Sequence, residues 1–518
     1  MPIADPAAAL AEPYGAFPDI LAAWARRQPG KPALRDEHGE ISWGQLGERV
    51  ERIAAKLQQT GLERGQSVAI LGYSSVAYAL VFLAAVRAGG VAAPLTTSAS
   101  REQLEGMARD SGARHLFVDR AKAEELGADF LPHLDRIVLD EELDGWMAPA
   151  GTRADAFDPQ PDEPFNIIYS SGTTGIPKGI VHSHRMRWRQ FASIAASYIA
   201  SELEVRAFAS TPLYSNTTMV AFLAPLLAGG TVRVAGKFSA LGWLEGAQAD
   251  RTTATMLVPV QYQRLMDEPR FAEFDLSALA VKYCTSAPFP APLKREVLKR
   301  MPGALIEIYS MTEGGVVCLL PCHEFPDKLH TVGRPAPGSE LKVLDDADEE
   351  VPQGTAGNLV GRSQTMMSGY RNRPDKTREA YWTDPATGET WQRMGDIGRL
   401  DADGFVELVG RANDMIISGG FNVFPSDLEA ELEREPGVVE AAVVGVASRR
   451  WGETPVGFVR LSEAGETTEA ILAAVNARLG KTQRLAMLHA IDEMPRSHIG
   501  KLLKTELRAR AESIGGIE

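Results

Sequence analysis

Apolar and polar positions along this chain fall into blocks whose period switches repeatedly between that of a helix and that of a strand. Residues 16–60 read as a helix, a Gly-containing hairpin from Pro32 to Trp43, and a second helix. Gly65 to Leu71 then reads as a strand, Val76 to Gly89 as an Ala-rich helix closed by Gly89-Gly90, and Val91 to Leu95 as a strand again. A polar helix through Arg109 and a strand at His115 to Val118 follow. Such alternation is the signature of βαβ units, a parallel sheet covered by helices. Residues 153–164 are acidic and Pro-rich, which predicts a connector, and a second alternating α/β stretch runs to about residue 320. From Thr331 to Val409 glycines and short alternating segments predict a small β-rich subdomain.

After Val409 the pattern restarts. A helix is expected at Ser426 to Arg434, strands at Val438 to Val446 and Val456 to Leu461, a helix from Thr467 to Leu479 capped by Gly480, and a final helix near Lys501. These last residues, about 110 of them, are enough for a domain with its own core. The expected fold class is α/β: an N-terminal domain over 1–409, made of two α/β subdomains plus the β-rich one, and a small α+β C-terminal domain over 410–518. The length of 518 residues fits several folding units rather than one core.

Within that frame the most informative segment is Tyr169-Ser-Ser-Gly-Thr-Thr-Gly-Ile-Pro-Lys-Gly179. Backbone N–H groups and the hydroxyls of Ser170, Ser171, Thr173 and Thr174 can close around phosphate oxygens, Gly172 and Gly175 permit the tight path, and Lys178 adds positive charge. The preceding Phe165 to Tyr169 is apolar and β-prone, so the loop leaves a buried strand at its carboxyl end, where open α/β sheets bind ligands. A Walker A loop is excluded: Pro177 precedes Lys178 and Gly179 follows it, where that motif needs Lys-Ser/Thr opening a helix.

Further motifs occur in order: Tyr309-Ser310-Met311-Thr312-Glu313-Gly314, Met394-Gly395-Asp396-Ile397-Gly398, Gly410-Arg411-Ala412-Asn413-Asp414, Ser418-Gly419-Gly420, and Pro495-Arg496-Ser497-His498-Ile499-Gly500-Lys501. Together these resemble the adenylate-forming superfamily, which comprises acyl- and aryl-CoA ligases, peptide-synthetase adenylation domains and beetle luciferases. The resemblance runs from about residue 20 to the end of the chain, and it points to the acyl-/aryl-CoA ligase branch.

That resemblance implies ATP, Mg²⁺ and coenzyme A as cofactors and a small carboxylic acid as substrate. Lys501 would meet the charge that grows when a carboxylate attacks the α-phosphorus, Glu313 would be the magnesium ligand, and Thr312 and Thr173 would hydrogen-bond phosphates. Tyr309 would lie against adenine, Asp396 would accept both ribose hydroxyls, and Arg411 would contact ribose or phosphate. Taken alone, Asp396 between Gly395 and Gly398 could equally be a turn residue. The C-terminal domain would be a mobile lid turning about Asn413, where the family more often has Asp or Lys. Rotation would bring Ser418, Gly419 and Gly420 to the pantetheine tunnel. Arg450 and Trp451, in Arg449-Arg450-Trp451-Gly452, resemble a segment that holds the CoA nucleotide in some aryl-CoA ligases, with Lys481 and Arg484 adding charge.

For the acid, the resemblance directs attention to Tyr214, Ser215 and Thr218, to Thr285 and Ser286, and to Ser310. The stretch from Pro212 to Thr218 has no aspartate to pair with an ammonium, which disfavours amino acids. Thr285 and Ser310 stand where many relatives have glycine, so the expected acid is aromatic, phenylpropenoid or short to medium in chain length. The alternatives are a stand-alone adenylation enzyme that loads a carrier-protein pantetheine, or a fatty-acid–CoA ligase. His182 and His184 follow the phosphate loop, where structural and ligand-contacting roles are equally open.

Charge and cysteine content narrow the rest. A net charge of −14 argues against a nucleic-acid surface and requires locally basic sites for ATP and CoA. No 18-residue apolar run occurs and the start lacks a basic n-region and an h-region, so no integral membrane segment and a cytoplasmic location are expected. Cys284, Cys318 and Cys322 are too few for a disulfide framework, and Cys318-x3-Cys322-His323 without a second pair is a weak metal pattern. A homodimer is the expected assembly.

Overall fold

The computed structural model describes residues 3–170, 177–419, 421–462, 467–497 and 500–514. Of the residues singled out above, Ser171, Gly172, Thr173, Thr174, Gly175, Ile176, Gly420, His498 and Ile499 lie outside the described residues, as do the side chains of Ser170 and Asn413. The chain forms two compact units, one of Met1–Leu329, Ala336–Ser339 and Arg362–Gln392, the other of His330–Pro335, Glu340–Gly361 and Arg393–Glu518.

The first unit contains two large sheets. One orders its strands Gly369–Tyr370, Lys178–Ser183, Pro164–Ser170, Val91–Leu95, Ser67–Leu71, His115–Val118 and Asp135–Val138. The last five are parallel and the first two pair antiparallel at the edge. Ser67–Leu71 and Val91–Leu95 are buried at every position, which is why they read as unbroken apolar runs rather than alternating ones. Between them runs helix Val76–Arg87, N-capped by the Ser75 hydroxyl and buried at almost every position. A helix apolar all round must be covered on all sides, and this one is.

Of the second sheet, eight strands belong to this unit, in the order Gly314–Pro321, Ala304–Met311, Val281–Cys284, Ala254–Leu257, Arg206–Ala209, Thr231–Val234, Pro32–Arg35 and Glu40–Ser42. Six are parallel, and the strands at the two ends turn back antiparallel on their neighbours. One apolar cluster spans both sheets, with Phe165 packed 5.3 Å from Phe17 and 6.1 Å from Phe82, and Phe82 in turn 5.9 Å from Phe222. Residues 153–160 form no regular element, as the Pro-rich composition predicts.

In the second unit, Val406–Arg411 pairs antiparallel with the end of Thr390–Leu400. Its C-terminal part is a sheet ordered Phe421–Val423, Ile416–Ser418, Gly452–Leu461 and Val438–Ser448, with Met487–Ala490 parallel to Gly452–Leu461. Alternate residues of Val438–Ser448 face opposite sides. Ala441 and Val443 pack with Leu428, Leu432, Ile471 and Val475 from helices Pro425–Glu433 and Thr468–Arg478. Ala442, Val444 and Val446 pack with Leu507 and Ala511 of helix Lys504–Ile514.

Candidate active site

The phosphate-loop segment joins two antiparallel strands, with Tyr169 opposite Gly179 and Ser170 opposite Lys178. No helix begins at Lys178, which separates this loop structurally from a Walker A loop. The Lys178 ammonium lies 4.7 Å from the centre of the Tyr370 ring. Tyr370 donates its hydroxyl to Glu313 Oε1 at 2.8 Å, and burial, followed by the Glu313 charge, pushes the phenol well above its ordinary pKa. It therefore stays a donor at every physiological pH. Sequence reasoning missed Tyr370; Gly369-Tyr370 carries no local signal beyond a short strand.

Thr312 and Glu313 form the two-residue tip of the hairpin between Ala304–Met311 and Gly314–Pro321, with Met311 opposite Gly314. Two contacts hold this tip. Met367 N–H donates to the Glu313 carbonyl at 2.8 Å, and His182 Nε2 bonds the Thr312 carbonyl, also at 2.8 Å. Gly314 has φ +92°, and a Cβ there would sit 2.2 Å from the Thr365 carbonyl oxygen. Both facts demand glycine. Gly314→Ala is expected to destabilise the protein by at least about 2 kcal/mol, read as a lower urea midpoint with unchanged m.

The donor set at the tip suits Mg²⁺. Among the described residues no group of three or more His, Cys, Asp or Glu could hold a metal, so no all-protein cage exists there. One carboxylate, Glu313, is what a hard cation needs when phosphate and water complete its shell. Cys318 and Cys322 are free, buried thiols, and burial pushes the Cys322 thiol up to about 12, so it is no ready thiolate ligand.

His182 and His184 are both buried, and burial is the main reason each stays neutral, His184 with a pKa of about 4. His184 packs edge-on against Phe165 at 5.2 Å. It belongs to the core, whereas His182 braces the hairpin tip.

The stretches proposed to meet the acid are brought together in the first unit. Thr217 and Ser286 share a hydrogen bond between their hydroxyls, and Ser286 is held at φ +83°, a region that disfavours side chains. The Thr285 hydroxyl donates to the Ile308 carbonyl at 2.6 Å, which pins it beside the strand carrying Tyr309 and Ser310. Thr218 is wholly buried and bonds Thr211 at 2.7 Å and the Pro212 carbonyl. Ser215 caps the turn Asn216–Thr218 by accepting from Thr217 N–H at 3.3 Å. Their hydroxyls shape the stretch through these internal bonds. Tyr214 is half-buried, and burial raises its phenol.

In the second unit Asp396 stands directly opposite Arg411, whose Nη1 donates to Asp396 Oδ1 at 2.8 Å. Two residues proposed for ribose and phosphate are thus one cross-strand pair, with the carboxylate buried and the guanidinium half-exposed. Asn413 sits in the single turn Ala412–Asp414. Ser418 is buried opposite Gly452, and Gly419 N–H donates to the Trp451 carbonyl at 2.7 Å. Arg450 lies over the Trp451 ring at 5.0 Å. Lys501 is exposed on a tight turn in which its carbonyl accepts from Ser497 N–H at 2.8 Å and its N–H donates to Ser497 Oγ at 3.1 Å. Gly500, at φ +75°, and the Arg496 guanidinium, which donates to the Gly500 carbonyl at 2.7 Å, fix that turn.

Mixed α/β sheets in a large N-terminal part, followed by a small C-terminal domain, are the architecture of the adenylate-forming enzymes. The chain belongs to the AMP-binding enzymes: it matches the AMP-binding enzyme family over residues 21–371 and the AMP-binding enzyme C-terminal domain over residues 427–501. It is 32% identical to a feruloyl-CoA synthase of Amycolatopsis sp, with 94% of this chain and 97% of that protein covered. It is 31% identical to an indoleacetate–CoA ligase of Aromatoleum aromaticum over the same shares. Among solved structures it resembles ATP-bound MatB from Rhodopseudomonas palustris, with a TM-score of 0.83, 28% identity, and 96% of this chain and 99% of that chain covered. Its reaction class is that of an AMP-forming acid–thiol ligase, joining a carboxylic acid to a thiol through an acyl-adenylate.

Proposed function

We propose that this chain is an acid–CoA ligase that activates an aromatic, phenylpropenoid or short- to medium-chain carboxylic acid with ATP and Mg²⁺. The observation that carries the acid class is the placement of Thr285 and Ser310. They stand at the ends of neighbouring parallel strands, with Thr285 fastened to the Ile308 carbonyl, so side-chain atoms fill positions where many ligases of this branch have glycine. Added atoms there shorten or narrow an acyl tunnel. The feruloyl-CoA synthase and the indoleacetate–CoA ligase, whose names both carry an aromatic acid, support the same reading.

In the first half-reaction the acid carboxylate attacks the α-phosphorus and pyrophosphate leaves. Lys178, the Thr312 hydroxyl and Lys501 meet the negative charge, and Asp396 accepts the ribose hydroxyls while Arg411 holds one of its oxygens. Glu313 would hold the Mg²⁺, whose chemistry there would be to neutralise phosphate charge. In the second, residues 410–518 act as a lid that turns about Asn413. Ser418-Gly419-Gly420 then guide the thiol to the acyl carbon, AMP leaves, and Arg450 and Trp451 hold the CoA nucleotide. Three free, buried cysteines fit a reducing cytoplasm, and among the described residues no helix is long and apolar enough to cross a membrane. We take the working assembly to be a homodimer, which sedimentation velocity tests.

Pyrophosphate release with ATP and Mg²⁺ across benzoates, hydroxycinnamates and short to long fatty acids, with and without CoA, tests the reading. Turnover on aromatic acids that depends on CoA is expected. A preference for palmitate overturns the acid class, and adenylate that ignores CoA moves the thiol to a carrier protein.

A further inference from the structure

Arg187 lies in helix His184–Ala200 and is wholly buried. An arginine at such depth ordinarily pairs with a carboxylate, because an uncompensated buried charge is strongly disfavoured. This one directs four N–H groups at neutral acceptors. Nε donates to Asn166 Oδ1 at 2.8 Å, Nη1 to Gln190 Oε1 and to Asn216 Oδ1 at 2.7 Å each, and Nη2 to His182 Nδ1 at 3.0 Å. Burial pulls its pKa down to about 9, so it remains a cation at neutral pH.

The network has a direction. Because Arg187 can only donate, His182 Nδ1 is the acceptor, and the imidazole proton must sit on Nε2. That N–H then donates to the Thr312 carbonyl at 2.8 Å, at the two-residue tip that also presents Glu313. Asn166 belongs to the strand entering the phosphate loop and His182 to the strand leaving it. Asn216 opens the turn whose Thr217 bonds Ser286. A single guanidinium therefore ties together the loop's two strands, the hairpin tip and the acid-side turn. An apolar residue of similar volume would fill the same space without fixing any of these.

We propose that Arg187 is a positioning residue of adenylate formation, holding the Thr312–Glu313 tip in register with the nucleotide triphosphate through His182. The proposal rests on the ligase reading and deepens it at one point, the metal–triphosphate end of the nucleotide.

The test compares binding of α,β-methylene-ATP with Mg²⁺ to binding of AMP, by calorimetry on the full chain, in wild type, Arg187→Met, His182→Phe and the double variant. Each single variant is expected to weaken the Mg²⁺-triphosphate analogue by about tenfold, the low end of what losing a bond that orients a metal site costs, and AMP by less than twofold. The double variant should lose no more than either single one, since both break one relay. Equal losses for the two nucleotides, multiplicative losses in the double variant, or unchanged affinity in a folded variant would overturn the proposal. Should Arg187→Met not fold, His182→Phe must show the same split for the proposal to stand. A wild-type protein that binds neither nucleotide refutes the ligase reading itself, whereas one that binds both but releases no pyrophosphate with ferulate leaves this comparison intact.

Discussion

Replacing Lys501 with alanine should slow acyl-adenylate formation by about a hundredfold to a thousandfold while leaving the unfolding midpoint where it was. The turn that carries it is fixed by backbone bonds between Ser497 and Lys501, by the Ser497 hydroxyl, and by Arg496 on the Gly500 carbonyl. These bonds run through the backbone and through neighbouring side chains, and alanine keeps all of them. The expected signature is selective: acid-dependent exchange of pyrophosphate into ATP collapses, whereas CoA consumption from a pre-formed acyl-adenylate stays within about threefold of wild type. If both half-reactions fall together, Lys501 is not the group that meets the charge at the α-phosphorus.

The second large effect is expected at Glu313. Glutamine keeps the length of the side chain and an oxygen that can accept from Tyr370, so the 2.8 Å contact survives while the charge is lost. Activity at saturating ATP should drop on the order of a hundredfold. The Mg²⁺ concentration giving half-maximal rate should rise with it, because a neutral amide is a poor ligand for a hard cation. Tyr370→Phe removes only the hydroxyl and serves as the control, with a loss of a few-fold. An unshifted Mg²⁺ titration in Glu313→Gln would remove Glu313 from the metal site, whatever its effect on rate.

What was legible in the chain follows from locality. Strands Val91–Leu95 and His115–Val118 stand within the limits the sequence indicates, since a parallel strand covered on both faces reads as a near-continuous apolar run. The motifs that carry the family were readable because each is written in a few consecutive residues, and the chain does belong to the AMP-binding enzymes. What escaped was assembled from distant parts of the chain. Arg187 looks like a solvated helix position until Asn166 and Asn216, 21 and 29 residues away, close over it. Tyr370 meets Glu313 from 57 residues downstream. Glu307 sits within an apolar run and is buried with Lys294 at 2.5 Å, a pair no local period reveals. The internal bonds of the Ser215, Thr218 and Thr285 hydroxyls also escape a local reading, since their backbone partners are set by the fold.

The ring of Trp451 rests on Gly419, where a Cβ would come within 2.9 Å of it on a backbone held at φ +60°. In any redesign of this segment, positions 419 and 451 are therefore a single choice. A bulkier residue at 419 becomes sterically admissible only once the indole has been trimmed, and trimming the indole removes the ring over which Arg450 lies. A library that varies either position alone will sample mostly broken combinations, whereas paired substitutions keep the space between them filled.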